Sequence, residues 1–426
     1  MEDSAQPTEV MDLLRFATIG SVDDGKSTLI GRLLIDTRQL FNDQVEAIAT
    51  ASRNRGVGDL DLSFVTDGLR AEREQGITID VAYRYAATPT RKFVIADCPG
   101  HVQYTANMAT GASNADVALV VVDATVGLKE QTKRHLCIAS LLGVREFIVC
   151  ANKMDITQWS EEAYKRIIDQ MHALPSLFAS DSITVIPISA LLGDNVVDAS
   201  DAAPYYNGPT VLEALESAPA GALADQHGEG SESATRLPVQ WILRQPGEGR
   251  RYAGMINGAP LRVGDDVVVL PEGLKSTVLE IKTPSGLVDE ASVELSVSVA
   301  LADDLDVSRG DMIVGAQDLP TVSQTIDATV CWFSATPLHE GDRIRIKHTT
   351  RSSPALVAAI HATFESENFS LQPNSVLENN DIGTVTLNVA TPLVFDDYQQ
   401  NHITGSFVLI HEATNVTVGA GMIQLP

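Results

Sequence analysis

Over its first half the chain alternates short apolar runs with stretches of helical periodicity. Strands are predicted at residues 13–19, 79–85, 92–96, 117–122, 146–150 and 183–188, and helices at 26–35, 44–52, 102–111, 130–142 and 160–174. Alternation of this kind builds an α/β domain, a mostly parallel sheet with helices on both faces. Between the first helix and residue 79 lies a long polar connection, too long for a tight link and therefore expected to be a functional segment. From 218 to 235 the residues turn to Ala, Gly, Ser and Glu without periodicity, which reads as a linker. Beyond it the pattern is β throughout, with strands expected at 267–270, 275–282, 293–301 and 312–314, then at 325–332, 342–348, 355–364, 383–390 and 406–410. Two small all-β barrels are the natural packing, because closure removes exposed strand edges. The expected division is a disordered tail at 1–10, an α/β domain at 11–217, a linker at 218–235, a first barrel at 236–320 and a second at 321–426.

Composition narrows the class. The 426 residues are 44% hydrophobic and 20% charged, enough apolar surface for more than one core. No run approaches the ~18 apolar residues of a membrane span. The acidic N-terminus lacks the basic region and apolar core of a secretory signal, so a cytoplasmic location is expected. Cys98, Cys137, Cys150 and Cys331 sit singly among apolar residues with no C-x-x-C spacing, and read as buried free thiols. Thirty Lys plus Arg stand against 56 Asp plus Glu, a formal net charge of −26. That balance disfavours a large polyanionic partner such as bulk nucleic acid, while leaving room for a local basic patch.

Candidate chemistry gathers on the first domain. Gly20, Ser21, Val22, Asp23, Asp24, Gly25, Lys26 and Ser27, followed by Thr28, lie between an apolar strand and a helix. Two glycines let the backbone curl, so that successive N–H groups and the positive end of the helix face one anion. A nucleotide polyphosphate fits, with Lys26 on the β- and γ-phosphates and the Ser27 hydroxyl on Mg²⁺. Asp97, Cys98, Pro99 and Gly100 end a strand where a second carboxylate for the metal is needed, Asp97 acting through a bound water and the Gly100 N–H on the γ-phosphate. His101 follows directly, placed to orient an attacking water. Thr78 closes the long polar connection and offers a second hydroxyl to Mg²⁺.

Base choice comes from Asn152, Lys153, Met154 and Asp155. A carboxylate at Asp155 can accept from guanine N1–H and the exocyclic amine together, which adenine cannot satisfy because its N1 is itself an acceptor. Lys153 would lay its stem along the base, Asn152 would brace the phosphate loop, and Ser189, Ala190 and Leu191 fit a short loop whose backbone meets guanine O6.

These motifs in this order, followed by two β segments, resemble the translation-factor GTPases related to elongation factor Tu. In detail the chain is more similar to the GTPase subunit of bacterial sulfate adenylyltransferase. Carrying that likeness are Gly20 to Ser27, the stretch from Asp67 to Tyr85, Asn107 to Ser113, Ile242-Leu-Arg244, Asp306 to Asp311, Tyr398 to Asn401 and Asn415 to Met422, so it spans nearly the whole chain. The resemblance implies an arginine where this chain has Ala106 and an aromatic where it has Ala86, so partner contacts or hydrolysis rate are expected to differ. In some relatives an adenylyl-sulfate kinase domain continues the chain, and with the sequence ending at Pro426 none is expected here.

What the resemblance implies is a regulatory GTPase. GTP hydrolysis, with Mg²⁺ as cofactor, would drive synthesis of adenosine 5′-phosphosulfate and pyrophosphate from ATP and sulfate on a small catalytic adenylyltransferase subunit, in a heterodimer or larger assembly. No nucleic acid or membrane partner is expected. The rival readings are an elongation-factor-type GTPase carrying aminoacyl-tRNA, and the equivalent subunit of nodulation-factor sulfation.

Overall fold

The computed structural model describes residues 12–39, 78–174, 182–219, 235–245, 249–365 and 370–425. The expected tail, the expected helix at 44–52 and most of the resemblance stretch from Asp67 to Tyr85 lie outside them. The described residues divide into two units, one ending at residue 219 and the other from Thr235 onward.

The first unit runs β1 (Leu13–Ile19), α1 (Lys26–Asp36), β2 (Ala82–Ala87), β3 (Lys92–Asp97), α2 (Thr105–Ala112), β4 (Val117–Asp123), α3 (Glu130–Leu141), β5 (Glu146–Asn152), α4 (Glu161–His172), β6 (Ser182–Pro187) and α5 (Val211–Ser217). Its sheet has the order β2-β3-β1-β4-β5-β6; β2 is antiparallel to β3, and every other pairing is parallel. All seven residues of β4 are buried, as a central parallel strand with both faces covered requires. Leu14, Phe16, Leu119, Val121 and Ile148 of the sheet pack with Leu29 and Leu33 of α1 in one core. In such sheets ligands bind beyond the C-terminal strand ends, where the order reverses. Here β1, β3, β4 and β5 end at Ile19, Asp97, Asp123 and Asn152.

Local chemistry moves several boundaries. The strand expected at 79–85 forms instead at Ala82–Ala87, because the Ile79 carbonyl accepts from the Asn107 side chain and the Asp80 carboxylate accepts from the Val81 N–H. The helix expected at 102–111 opens as a 3₁₀ turn, Val102–Tyr104, before α2 begins. Helix α5 was not expected, although Thr210 and Glu213 form a reciprocal capping box at its start. Beyond its far end the Arg91 guanidinium collects the carbonyls of Leu215 at 3.0 Å, Glu216 at 3.1 Å and Ala218, and pairs with Asp12 at 2.5 Å. Those orphaned helix-end acceptors are thereby satisfied.

The second unit holds both barrels. Its first part contains β7 (Arg236–Pro238), β8 (Trp241–Gln245), β9 (Gly249–Met255), β10 (Leu261–Arg262), β11 (Asp266–Leu270), β12 (Leu274–Thr283), β13 (Gly286–Val288), β14 (Glu290–Ala291), β15 (Ser296–Leu301) and β16 (Met312–Gly315). The order β7-β16-β11-β12-β15-β9 closes on itself through the antiparallel bridge of Arg236 with Asn257. A strand expected from residue 293 starts only at Ser296, since Glu294 lies at φ 64°, where an extended ladder cannot begin. Next come β17 (Thr321–Trp332), β18 (Leu338–His339), β19 (Arg343–His348), β20 (Arg351–Glu365), β21 (Ser370–Pro373), β22 (Val376–Leu377), β23 (Ile382–Phe395), β24 (Ser406–Ile410) and β25 (Thr417–Ile423). Here β19-β24-β25-β17-β23-β20 is closed by the pairing of β20 with β19.

The run Val267-Val-Val-Leu270 is apolar on both faces for a reason. Val267 and Val269 fill the first barrel, while Val268 and Leu270 pack with Val394 of the second. Two arginines fasten the same junction. Arg236 is bonded to Asp396 at 2.9 Å and to Asp318 at 3.3 Å, and Arg351 spans Gly310, Pro392 and Asp311. All four cysteines are free and buried. No helix among the described residues is long and apolar enough to cross a membrane.

Candidate functional site

The loop from Gly20 to Ser27 leaves the end of β1 and runs into α1. Gly20 at φ 144° and Gly25 at φ 97° occupy backbone that side chains rarely adopt. A Cβ on Gly20 would lie 2.4 Å from the Val121 carbonyl oxygen, and one on Gly25 would lie 2.3 Å from Asn152 Nδ2. Helix α1 has no side-chain cap and no acidic residue in its first turn. Its leading N–H groups and positive dipole end are therefore the natural seat of an anion. Ser27 and Thr28 stand half-buried in that first turn, Val22 is half-buried, and Asp23 is exposed at φ 63°.

Lys26 folds back over the loop, donating to the Gly20 carbonyl at 3.0 Å and the Ser21 carbonyl at 2.6 Å. Burial holds its ammonium below the ordinary lysine range, with the charges of Asp97 and Asp24 opposing the fall. Gly100 is brought against it: a Cβ there would sit 2.5 Å from Lys26 Nζ and 3.0 Å from the Val22 nitrogen. Asp97 is buried at the end of β3, where Thr18 Oγ1 donates to it at 3.3 Å. Cys98 turns its thiol toward the carbonyls of Ala96 and Met108, and burial pushes that thiol up, beyond ready ionisation. Pro99 is buried as well.

His101 is half-exposed, its ring edge-on to Tyr104 with centroids 6.2 Å apart. Among the described residues no hydrogen bond ties the His101 ring or Thr78 to the loop. The structure thus gathers Lys26, Asp97 and Gly100 around the loop, and gives His101 and Thr78 no hydrogen bond to it among the described residues.

The base motif is joined to the loop by one side chain. Asn152 Nδ2 donates to the Asp24 carbonyl at 2.8 Å, and Asn152 Oδ1 accepts from the Ala190 N–H at 2.9 Å. A single residue at the end of β5 therefore holds both the phosphate loop and the loop after β6. Lys153, at φ 64°, pairs with Asp123 at 2.7 Å. Burial raises the Asp123 carboxyl, but the bonds from Lys153 and Thr125 outweigh it and hold the group below the usual range. Met154 is buried and donates its N–H to the Ile188 carbonyl, and Asp155 beside it is half-buried. Ser189 is buried and accepts from the Leu192 N–H, while Leu191 is exposed. Arg32 of α1 secures that turn through the carbonyls of Ala190 and Leu191.

Sequence reasoning missed four contributors. Thr18 and Asp123 are bonded to motif residues, yet each is an ordinary strand residue by pattern. Lys129 reaches Asp24 from just before α3, and no spacing signals a contact between residues 105 positions apart. His135, wholly buried on α3, lies 2.8 Å from Gln131 Nε2. Burial, with the Lys26 charge adding to it, pushes this imidazole down to about 3 despite the opposing Gly20 carbonyl, so it is neutral behind the loop.

Comparison with known proteins bears on this arrangement. The elongation factor Tu GTP binding domain family matches residues 11–220. A second family, described as GTP-eEF1A C-terminal domain-like, matches residues 325–424, the second barrel. The chain is 47% identical over 417 residues to the bifunctional enzyme CysN/CysC of Mycobacterium tuberculosis, covering 96% of this chain and 67% of that protein. It is 46% identical over 413 residues to sulfate adenylyltransferase subunit 1 of Aeromonas hydrophila, covering 96% of this chain and 86% of the relative. The corresponding subunit of Laribacter hongkongensis is 45% identical over 419 residues, with 98% and 86% covered.

Proposed function

The chain belongs to the sulfate adenylyltransferase subunit 1 family and is a GTPase subunit of that enzyme, and from this premise we propose how its own residues do the work. GTP sits with its phosphates on Gly20 to Thr28 and its base between Lys153, Asp155 and the Ser189-Ala-Leu191 loop. The observation that carries this reading is Asn152, whose two side-chain bonds join the loop that fits phosphate to the loop that fits guanine. Asp155 selects the base by accepting from N1–H and the exocyclic amine.

Ser27, Thr78 and Asp97 are hard oxygen donors of the kind Mg²⁺ takes, and these residues would hold the ion. Bound there, Mg²⁺ would neutralise charge on the β- and γ-phosphates. Lys26 leaves the carbonyls of Gly20 and Ser21 for those phosphates, at little cost because both partners are polar and the move exchanges one set of bonds for another. The Gly100 N–H reports the γ-phosphate, and His101 orients the attacking water. Hydrolysis removes the contacts of Thr78 and Gly100 and so switches the complex between two states. Reversing a two-state population from 1:99 to 99:1 takes about 5.5 kcal/mol of differential binding, which loss of the γ-phosphate contacts can supply.

The switch drives adenosine 5′-phosphosulfate and pyrophosphate synthesis from ATP and sulfate on a small catalytic adenylyltransferase, the entry step of sulfate assimilation. The functional division follows the expected boundaries, a GTP-binding domain at 11–217 and barrels at 236–320 and 321–426. A cytoplasmic setting agrees with four buried free thiols. The test is pyrophosphate release with ATP and sulfate, run with and without GTP, with and without the partner subunit. GTP-stimulated release only in the pair, abolished by Lys26→Ala, is the expected result. Release by this chain alone, or release in the pair that ignores GTP, would show the assignment to be wrong.

A further inference from the structure

One feature of the phosphate loop is chemically out of place, and the Asp24 side chain is that feature. The carboxylate is 1% exposed inside a loop whose backbone is shaped for an anion. A buried negative charge there repels a polyphosphate, and the low dielectric around it strengthens the repulsion. Its Oδ2 accepts from the Ser21 N–H at 3.0 Å, which orders the loop but leaves the charge in place. Lys129 addresses the charge. Its Nζ lies 2.6 Å from Asp24 Oδ1 and 3.2 Å from the Val22 carbonyl, so one ammonium straps the carboxylate and the loop backbone together. The lysine side chain is 30% exposed, which keeps its own desolvation cost modest. Lys26 registers both groups, Asp24 supporting its charged form and Lys129 opposing it.

We propose that Lys129 is a positioning residue for nucleotide binding, acting through Asp24: its ammonium cancels the buried carboxylate and makes the loop receptive to a polyphosphate. The proposal rests on the reading of this loop as the GTP site. A role confined to packing, or a direct contact of Lys129 with phosphate, makes a different prediction from charge cancellation. Removing Lys129 leaves Asp24 uncompensated, whereas removing both charges leaves the loop neutral again. The second change therefore repairs the first only if cancellation is the function.

The experiment measures equilibrium binding of a fluorescent GDP analogue and of GTP to the full chain as wild type, Lys129→Gln, Asp24→Asn and the double variant. Thermal unfolding of each without nucleotide is followed alongside. Lys129→Gln is expected to weaken binding by about tenfold or more, the scale of leaving one charge of a partly buried pair unmatched. The double variant should return to within about threefold of wild type, a non-additivity that marks coupled sites. Asp24→Asn alone, which leaves the Lys129 ammonium uncancelled in the loop, should bind more tightly than wild type by about threefold or more. Unchanged affinity in Lys129→Gln, or a double variant as weak as that single one, overturns the proposal. If Lys129→Gln does not fold, Asp24→Asn decides: tighter binding supports cancellation, and equal or weaker binding overturns it. A wild-type chain that binds neither nucleotide would overturn the GTP reading itself, an outcome separable from any difference among the variants.

Discussion

The phosphate loop and the junction between the two barrels both bury charged side chains, and they do so in opposite ways. At the junction Arg236 and Arg351 are fully committed, held among Asp396, Asp318, Asp311 and several carbonyls. In the loop Lys26 is parked on two backbone carbonyls, its ammonium kept below the usual range by burial. A committed pair fixes geometry, because breaking it strands a buried charge at about 3–5 kcal/mol. A parked cation retains the capacity to move to a stronger partner, which a site for an arriving anion requires. Buried charge therefore locks one region and readies the other.

The largest way to break this contrast acts on base choice. Asp155→Asn reverses the hydrogen-bond pattern offered to guanine, and GTP affinity should fall by about a thousandfold while xanthosine triphosphate gains. Competition binding with the two nucleotides checks this, and unchanged GTP affinity would remove Asp155 from the base site. Smaller, and confined to chemistry, is the effect of His101→Ala. It should keep GTP binding yet lose about a hundredfold in hydrolysis, since the ring has no bond to the loop to lose. Wild-type turnover would return His101 to its contact with Tyr104.

On the locked side, Arg351→Met should destabilise the barrel unit by about 2–3 kcal/mol, less than a fully buried pair because Arg351 keeps some exposure. Denaturant unfolding measures it, with GTP affinity as the control. An Arg351 variant that weakens GTP binding as much as it weakens the barrels would erase the distinction between the two regions.

The smallest effect sharpens the comparison through pH. His348 is buried at the junction, its Nε2–H donating to the Thr404 carbonyl at 2.6 Å, with Asp396 and Arg351 as its charged neighbours. Burial lowers its pKa, with the Thr404 carbonyl and Asp396 opposing and Arg351 assisting. A histidine whose folded pKa is depressed binds its proton more readily when unfolded, so stability is present above the ordinary value of 6.5 and is lost as pH falls below it. The expected slope approaches about 1.4 kcal/mol per pH unit below that point. In His348→Gln the slope should flatten, and an unaltered pH profile would exclude His348 as its source.

Much of the first unit was legible in advance for reasons of distance. The Gly20 to Ser27 loop, the Asp97 to His101 segment and the Asn152 to Asp155 motif each span a few adjacent residues, so their residue types and spacing are read locally. Buried parallel strands such as β4 are apolar from end to end, so their runs stand out. The barrels were harder to read. Strands of two or three residues, such as β7 and β13, leave too little pattern. In β8 the large aromatic Trp241 is exposed, against the usual inward placement. Helix α5 was missed despite its capping box because only Val211, Ala214 and Leu215 are buried in its seven residues.

By itself the sequence determined which residue types the candidate site offers and where its backbone needs glycine, as the positive φ of Gly20 and Gly25 shows. Tertiary structure alone decided what steadies them. Lys129 finds Asp24 across 105 residues, Asn152 finds the same loop across 128, and Arg236 finds Asp396 across 160. Short-range motifs are written in backbone conformation and side-chain type, which neighbouring residues specify. A charge partner a hundred residues away leaves no periodicity or spacing in the chain, and only packing of the sheet and its helices brings it within reach.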